Sequence, residues 1–192
     1  MKKDIGSIVA LYPIPTTIVG TVIEGRVNWL NVAHIGLIGH DTIMLSVNQT
    51  NYSNQGIKKN KTVSVNLVGE NMLVETDYVG TVSGKTVDKS HVFDYHMGQL
   101  QNVPIIDKSP LVMECEVADI YEYKGRDNFI LTVVHTHVED ELLDDKGKID
   151  YQKMKPILFQ MPTRQYLRTG DIAAKCWDVG KAYKSVGKAE RI

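Results

Sequence analysis

Two long runs rich in apolar, β-branched and aromatic residues meet at one turn in the middle of the chain, and they leave little room for a helical fold. Residues 111–124 read LVMECEVADIYEYK, and after Gly125-Arg126-Asp127-Asn128 the chain returns as NFILTVVHTHVEDELL. A glycine-bearing turn between two such runs predicts an antiparallel hairpin turning at 125–128. Shorter runs of the same kind surround it. TTIVGTVI (16–23) is bounded by Pro15 and Glu24-Gly25, and RVNWLNVAHI (26–35) follows directly. TIMLSVN (42–48) reads as a buried strand, and KTVSVNLV (61–68) alternates, with Val63, Val65 and Leu67 on one face. Near the end, 156–159 and 165–168 are short strand candidates. Helical patterns are few: 51–60, with Asn51 as its expected N-cap, and 70–79, with acids near its start. Residues 91–109 read as irregular. Six or seven strands with two short helices argue for an antiparallel barrel or sandwich, not a doubly wound sheet.

The 192 residues, 43% of them apolar, suffice for one domain with a substantial core. No repeat and no linker divides 1–192. A formal net charge of −1 supplies no field to draw the chain to nucleic acid or to an anionic membrane. Apolar runs break well short of the ~20 residues a spanning helix needs. The N-terminal apolar run is short and stops at Pro13, unlike a secretory leader, so a cytoplasmic location is expected. Cys115 and Cys176 form neither a CxxC pair nor a disulfide framework, and Cys115 reads as a packed strand residue.

Two stretches carry hints of a site. In 26–35, Trp29, Asn31 and Ala33 share one face, and Asn28, Leu30, Val32 and His34 the other. Asparagines pointing both ways suit a strand that meets a polar ligand or a partner chain. Trp29 could edge a planar ligand or pack in a core; the residues leave both open. The second stretch is 79–90, VGTVSGKTVDKS. Gly80 and Gly84 make it pliable, hydroxyls stand at Thr81, Ser83, Thr86 and Ser90, and Lys85 and Lys89 add cations. These are groups that suit a phosphate, without the spacing of a Walker loop or a dinucleotide fingerprint. His135, His137 and Glu139 share one strand face, which suits a solvated or interface surface better than a metal site. His91 and His96, with Asp88 and Asp94 nearby, lie in an irregular segment. No Gly-x-Ser-x-Gly elbow or catalytic triad stands out. Lys58, Lys59 and Lys61 cluster without interleaved aromatics, which argues against a nucleic-acid surface. Tyr121 and Tyr123 read as strand packing or dimer surface.

Taken together, RVNWLNVAHIGLIGHDTIMLSV, NYSNQGI, KTVSVNL and VSGKTVDKS resemble the flavin reductase-like, FMN-binding split-barrel family, in its flavoredoxin branch. The C-terminal RQYLRTGDI and WDVGKAY are similar to that branch as well. The likeness runs over about 15–138, and more weakly over 156–182. It implies a mainly β, Greek-key split β-barrel with a few short helices. It also implies a homodimer with FMN held non-covalently near the subunit interface, and a C-terminal extension from about 156 packed on the barrel or the partner. Carried over by position, Asn31, Val32 and Ala33 would offer backbone groups to the flavin ring. Asn48 and Gln49 would line the ribityl and phosphate side. Ser53 stands where the family usually has a threonine at the phosphate, and Ser83 and Lys89 would complete the anion site. The sequence departs from the pattern at Asn31 and Ala33, where many relatives have Thr and Ser. It departs again at Gly39-His40-Asp41-Thr42 in place of Asp-Pro-Pro, and it lacks the arginine common before the NYS-like segment. The resemblance implies an FMN oxidoreductase or electron carrier, fed by a reduced nicotinamide or a reduced redox protein. Alternatives are a module that binds or stores FMN without turnover, and a structural barrel. Hydride arrives directly at the flavin, so no catalytic side chain and no metal is expected.

Overall fold

The computed structural model describes residues 1–183. In chain order the strands are β1 (Ile14–Pro15), β2 (Thr17–Ile23), β3 (Arg26–Val32), β4 (Ile35–Leu37) and β5 (Thr42–Asn48), followed by helix α1 (Ser53–Asn60) and β6 (Thr62–Leu67). A 3-10 turn at Glu70–Met72 leads into α2 (Leu73–Thr81), then β7 (Tyr95–Met97), β8 (Pro104–Ile106), β9 (Leu111–Tyr123) and β10 (Arg126–Val138). Helix α3 (Tyr151–Met154) and strands β11 (Leu158–Gln160) and β12 (Gln165–Leu167) complete the regular structure.

The hairpin forms as the residues require, with one correction. Its turn is Lys124-Gly125, with φ of 45° and 74°, so Arg126, Asp127 and Asn128 already belong to β10. Two residues with positive φ match the twist of the flanking strands, and a longer loop is not needed. Register shifts at Ile130/Leu131 and Val133/His135 bend the pair.

Around it stands one antiparallel sheet in the order β3-β2-β6-β9-β10-β5-β4. The run 26–35 is not one strand. It breaks after Val32, and β4 pairs with β5 at the far edge of the sheet. Only Ala33 and His34 separate the two edge strands. Three Cα steps reach about 11 Å at most, so the sheet must curl until its edges meet at that end. This is the mainly β split barrel anticipated from the sequence.

Strand β2 is buried on both faces because it divides two cores. Val19, Leu45, Val63, Val65, Cys115, Phe129 and Leu131 fill the inside of the curl. Ile18, Trp29, Val68, Met72, Phe93 and Ile106 form a second core behind it. Trp29 has no exposed surface and meets Phe93 and Tyr95 edge-on at 5.6 and 5.7 Å, which decides for its core reading. Burial pushes the Cys115 thiol up to about 12, leaving it inert at neutral pH.

Further differences from expectation are local. Asn51 does not cap α1: Tyr52 holds the cap position without a side-chain bond, and the Asn51 carbonyl instead accepts the Asn54 N–H. The irregular 91–109 contains the small hairpin β7–β8. Residues from 157 onward return to the start of the chain: β11 pairs with β1 and β12, and Ile157 exchanges backbone bonds with Thr16 and Val68. The small, polar tail expected from Thr169 is described as far as Tyr183, and Gly187 lies outside the described residues. No helix among the described residues is long and apolar enough to cross a membrane.

Candidate functional site

A polar cavity of about 320 Å³ opens between β3, the loop entering α1 and the segment that leaves α2. Leu30 and Asn31 form one wall, Thr50 to Ser53 the second, and Val79 to Gly84 with Lys89 the third. Each wall has a local cause. Ser53 opens α1, and its hydroxyl oxygen accepts a 2.7 Å bond from Asn28 Nδ2. Its proton therefore remains to donate. The first turn of α1 has no side-chain cap: the Asn54 and Gln55 N–H groups are taken by the Asn51 and Tyr52 carbonyls, while the Ser53 N–H is given to no described residue and, with the positive end of the helix dipole, is open to an anion. Ser83 Oγ accepts the Lys85 N–H at 3.3 Å, and its proton likewise is not given to any described residue.

The two glycines of this wall are packing requirements. A Cβ on Gly84 would stand 2.0 Å from Asn28 Oδ1 and 2.9 Å from Tyr52 Cδ1. A Cβ on Gly80 would press on the Asn31 amide, 3.2 Å from its nitrogen. Only glycine lets this segment close onto β3 and α1.

Lys89 sits where the walls meet. It is 3% exposed, and its ammonium donates to the carbonyls of Trp29 at 3.1 Å and Val79 at 2.8 Å. It thereby ties β3 to the end of α2, and one N–H is left over. Burial lowers its pKa to about 8. Lys85, Arg26 and Asp88 instead surround a neighbouring hollow of about 330 Å³ that shares Tyr52, Gly84 and Lys89 with the first.

Of the residues singled out in the sequence, Asn31, Ser53, Ser83 and Lys89 come together on this cavity. The other four, Asn48, Gln49, Val32 and Ala33, are not among the residues that line it. Asn48 Oδ1 accepts the backbone N–H and the hydroxyl of Thr50, which shapes the cavity's lip. Gln49 Nε2 donates to the fully buried Asp127 at 3.3 Å. Asp127 also receives Asn54 at 2.7 Å and Lys58 at 2.9 Å, which accounts for part of the lysine cluster. The Val32 carbonyl accepts the Thr17 hydroxyl, and Ala33 lies at the corner between the sheet's two edges. Asn28 and Tyr166 were not singled out. Asn28 was visible as one of the outward asparagines of its strand. Tyr166 reaches Asn31 from 135 residues away, and no local pattern announces it. On the opposite flank His137 Nε2 lies 2.6 Å from the buried Glu114, within the protein's own framework.

The family model for the flavin reductase like domain matches residues 9–160. Flavoredoxin from Methanosarcina acetivorans is 32% identical and superposes with a TM-score of 0.90, over 95% of this chain and 98% of that one. The flavoredoxin of Desulfovibrio vulgaris (Miyazaki F) is 25% identical, with a TM-score of 0.87 over 94% and 100% of the two chains. An FMN-binding protein from Thermus thermophilus, 19% identical over 91% and 97%, shares the fold with a TM-score of 0.76. No curated protein matches the chain. With a split barrel whose two edges are joined by two residues, and a hydroxyl-lined cavity beside one of those edges, the chain belongs to the flavin reductase like domain family, in its flavoredoxin branch.

Proposed function

We propose that this chain binds FMN in the cavity beside β3 and passes electrons through it, from a reduced nicotinamide or a reduced electron-transfer protein to an acceptor. The observation that carries the reading is the meeting of the uncapped start of α1 with the uncommitted Ser53 and Ser83 protons and the Lys89 ammonium. That donor set suits a phosphate monoester. Its hydroxyls donate, the helix start contributes the Ser53 N–H and its dipole, and the single cation limits the charge to be buried. Asn48 and Gln49 support the lip behind it.

When bound, FMN supplies a ring that accepts and returns electrons at one face. The chain's part is to hold the phosphate end and to set the ring against the β3 backbone near Asn31 to Ala33. It must also leave one face open to the donor. No side chain has to move a proton for this. The exposed apolar residues of the terminal arms, among them Ile8, Leu11, Ile172 and Trp177, favour a homodimer in which the arms are covered.

Apoprotein titrated with FMN and with FAD should bind FMN more tightly. Anaerobic NADH or NADPH should bleach the bound flavin, and sedimentation should give two chains per particle. Bleaching by reduced ferredoxin alone would make the chain a carrier between proteins. Bound colour that no reductant removes would make it a store, and failure to bind flavin would end the reading.

A further inference from the structure

The amide of Asn31 is held by two groups that leave it one orientation. Its Nδ2 donates to the Thr76 carbonyl at 3.2 Å and to the Tyr166 oxygen at 3.4 Å. Tyr166 in turn donates its proton to Asp77 Oδ1 at 3.0 Å. A carboxylate can only accept, so the chain of bonds has a fixed direction: Asn31 gives to Tyr166, and Tyr166 gives to Asp77. Burial and the neighbouring Asp77 raise the Tyr166 pKa, so the phenol keeps the proton it must give. A flipped amide would set Asn31 Oδ1 against a carbonyl oxygen and against a phenol oxygen whose proton is already given. Gly80 leaves the room in which the amide lies. Asn31 Oδ1 takes no hydrogen bond from a described residue, and Asn31 lines the cavity.

We infer that Asp77 and Tyr166 are positioning residues that turn Asn31 so that it presents an acceptor, and that the cavity therefore selects a flavin bearing a hydrogen-bond donor at that point. This rests on the flavin reading above. Of the flavin's groups the ring N3–H can only donate, whereas a ribityl hydroxyl donates or accepts and would meet the amide either way round, so the N3–H is the group this wall selects. The C-terminal strand β12 thus sets the chemical sense of a wall built by β3, although β12 is absent from the cavity lining.

The test uses the full chain and an exposed position. Asp77→Asn gives Tyr166 a neighbour that can donate. The phenol proton can then turn to Asn31 Oδ1 and draw the amide over against the single 3.2 Å bond to the Thr76 carbonyl, so that part of the molecules present Nδ2 to the cavity instead. In wild type, the N3–H of bound ¹⁵N-labelled FMN shows a hydrogen-bonded, downfield signal. Asp77→Asn should move that N3–H signal upfield. Tyr166→Phe, which leaves the Thr76 carbonyl alone to hold the amide, should give a smaller upfield shift, and Asp77→Glu, which keeps an acceptor, should retain the wild-type signature. An N3–H signal identical in wild type and Asp77→Asn, or no hydrogen-bonded N3–H signal in wild type, would overturn the inference. Wild type that binds no FMN would overturn the flavin reading as well.

Discussion

A single buried ammonium organises the cavity at the scale of one residue. Lys89 was legible as a cation in a glycine- and hydroxyl-rich segment. Its two carbonyl partners were not, because they depend on α2 ending against β3. Replacing it with methionine leaves the Trp29 and Val79 carbonyls unpaired and should cost about 1–3 kcal/mol of stability. Its folded pKa of about 8 lies below the ordinary 10.5. Between those values the unfolded chain holds a proton that the folded chain lacks, so this group makes stability rise as pH climbs through that window. A bound phosphate favours the ammonium and draws the proton back. FMN affinity in wild type should therefore fall as pH rises above about 8. Titrations from about pH 7 to about 9.5 read this directly. Lys89→Met should bind more weakly at neutral pH and show no such fall, and a flat wild-type profile would remove Lys89 from the anion site. Asn31, Ser53 and Ser83 were legible for the same reason as Lys89: short motifs fix residue type. The proton each hydroxyl keeps free was not legible, since it depends on Asn28 and on a local turn.

At the scale of elements, β7–β8 was illegible. Its strands are three residues each, β7 is wholly exposed, and no alternation marks them. What holds the tip of this hairpin lies elsewhere, on β9. Glu114 has no exposed surface, and its carboxylate receives the N–H groups of Gln99 and Leu100 at 3.1 and 2.8 Å, with His137 at 2.6 Å. A Cβ on Gly98 would stand 2.5 Å from Oε2, so the turn lies directly on the carboxylate. Burial pushes this carboxyl up, but the N–H donations and His137 outweigh it and hold the pKa below the ordinary value. A depressed acid contributes stability above its unfolded pKa, and that contribution is lost as pH falls through the folded one. Glu114→Gln must turn an amide toward at least one N–H donor. It should lose about 1–3 kcal/mol at neutral pH and melt with a flatter dependence on acid than wild type. Equal melting temperatures at pH 7 would show that the carboxylate is not what holds the tip. The run 26–35 misled in a different way. The β-rich run continues through Val32 to Ile35 without a glycine or proline, and nothing local says that the partner strand changes between them.

For the whole molecule, the split barrel was legible because six or seven β-rich runs and two short helices leave few other ways to bury 43% apolar residues. Which strand lies at which edge was not, because order in a sheet is set by partners distant in sequence. Strands β3 and β4, two residues apart in the chain, hold opposite edges. That arrangement has a consequence for time. The bridge at Ala33-His34 can be drawn in only after β5 has found β10, and Arg126 follows its partner Ser46 by 80 residues. Sheets joined through such distant pairs fold in milliseconds to seconds, and local hairpins form in about microseconds. In pulse-labelled hydrogen exchange during refolding, the amides of the local hairpins β2–β3 and β9–β10 should gain protection first, and those that pair β5 with β10 last, together with the capacity to bind flavin. Protection across the β5–β10 pair as early as in the two hairpins would refute this order. The cavity, walled by β3 and by the loop that follows β5, is then the last part to be completed, and a yellow colour would mark only chains that have finished folding.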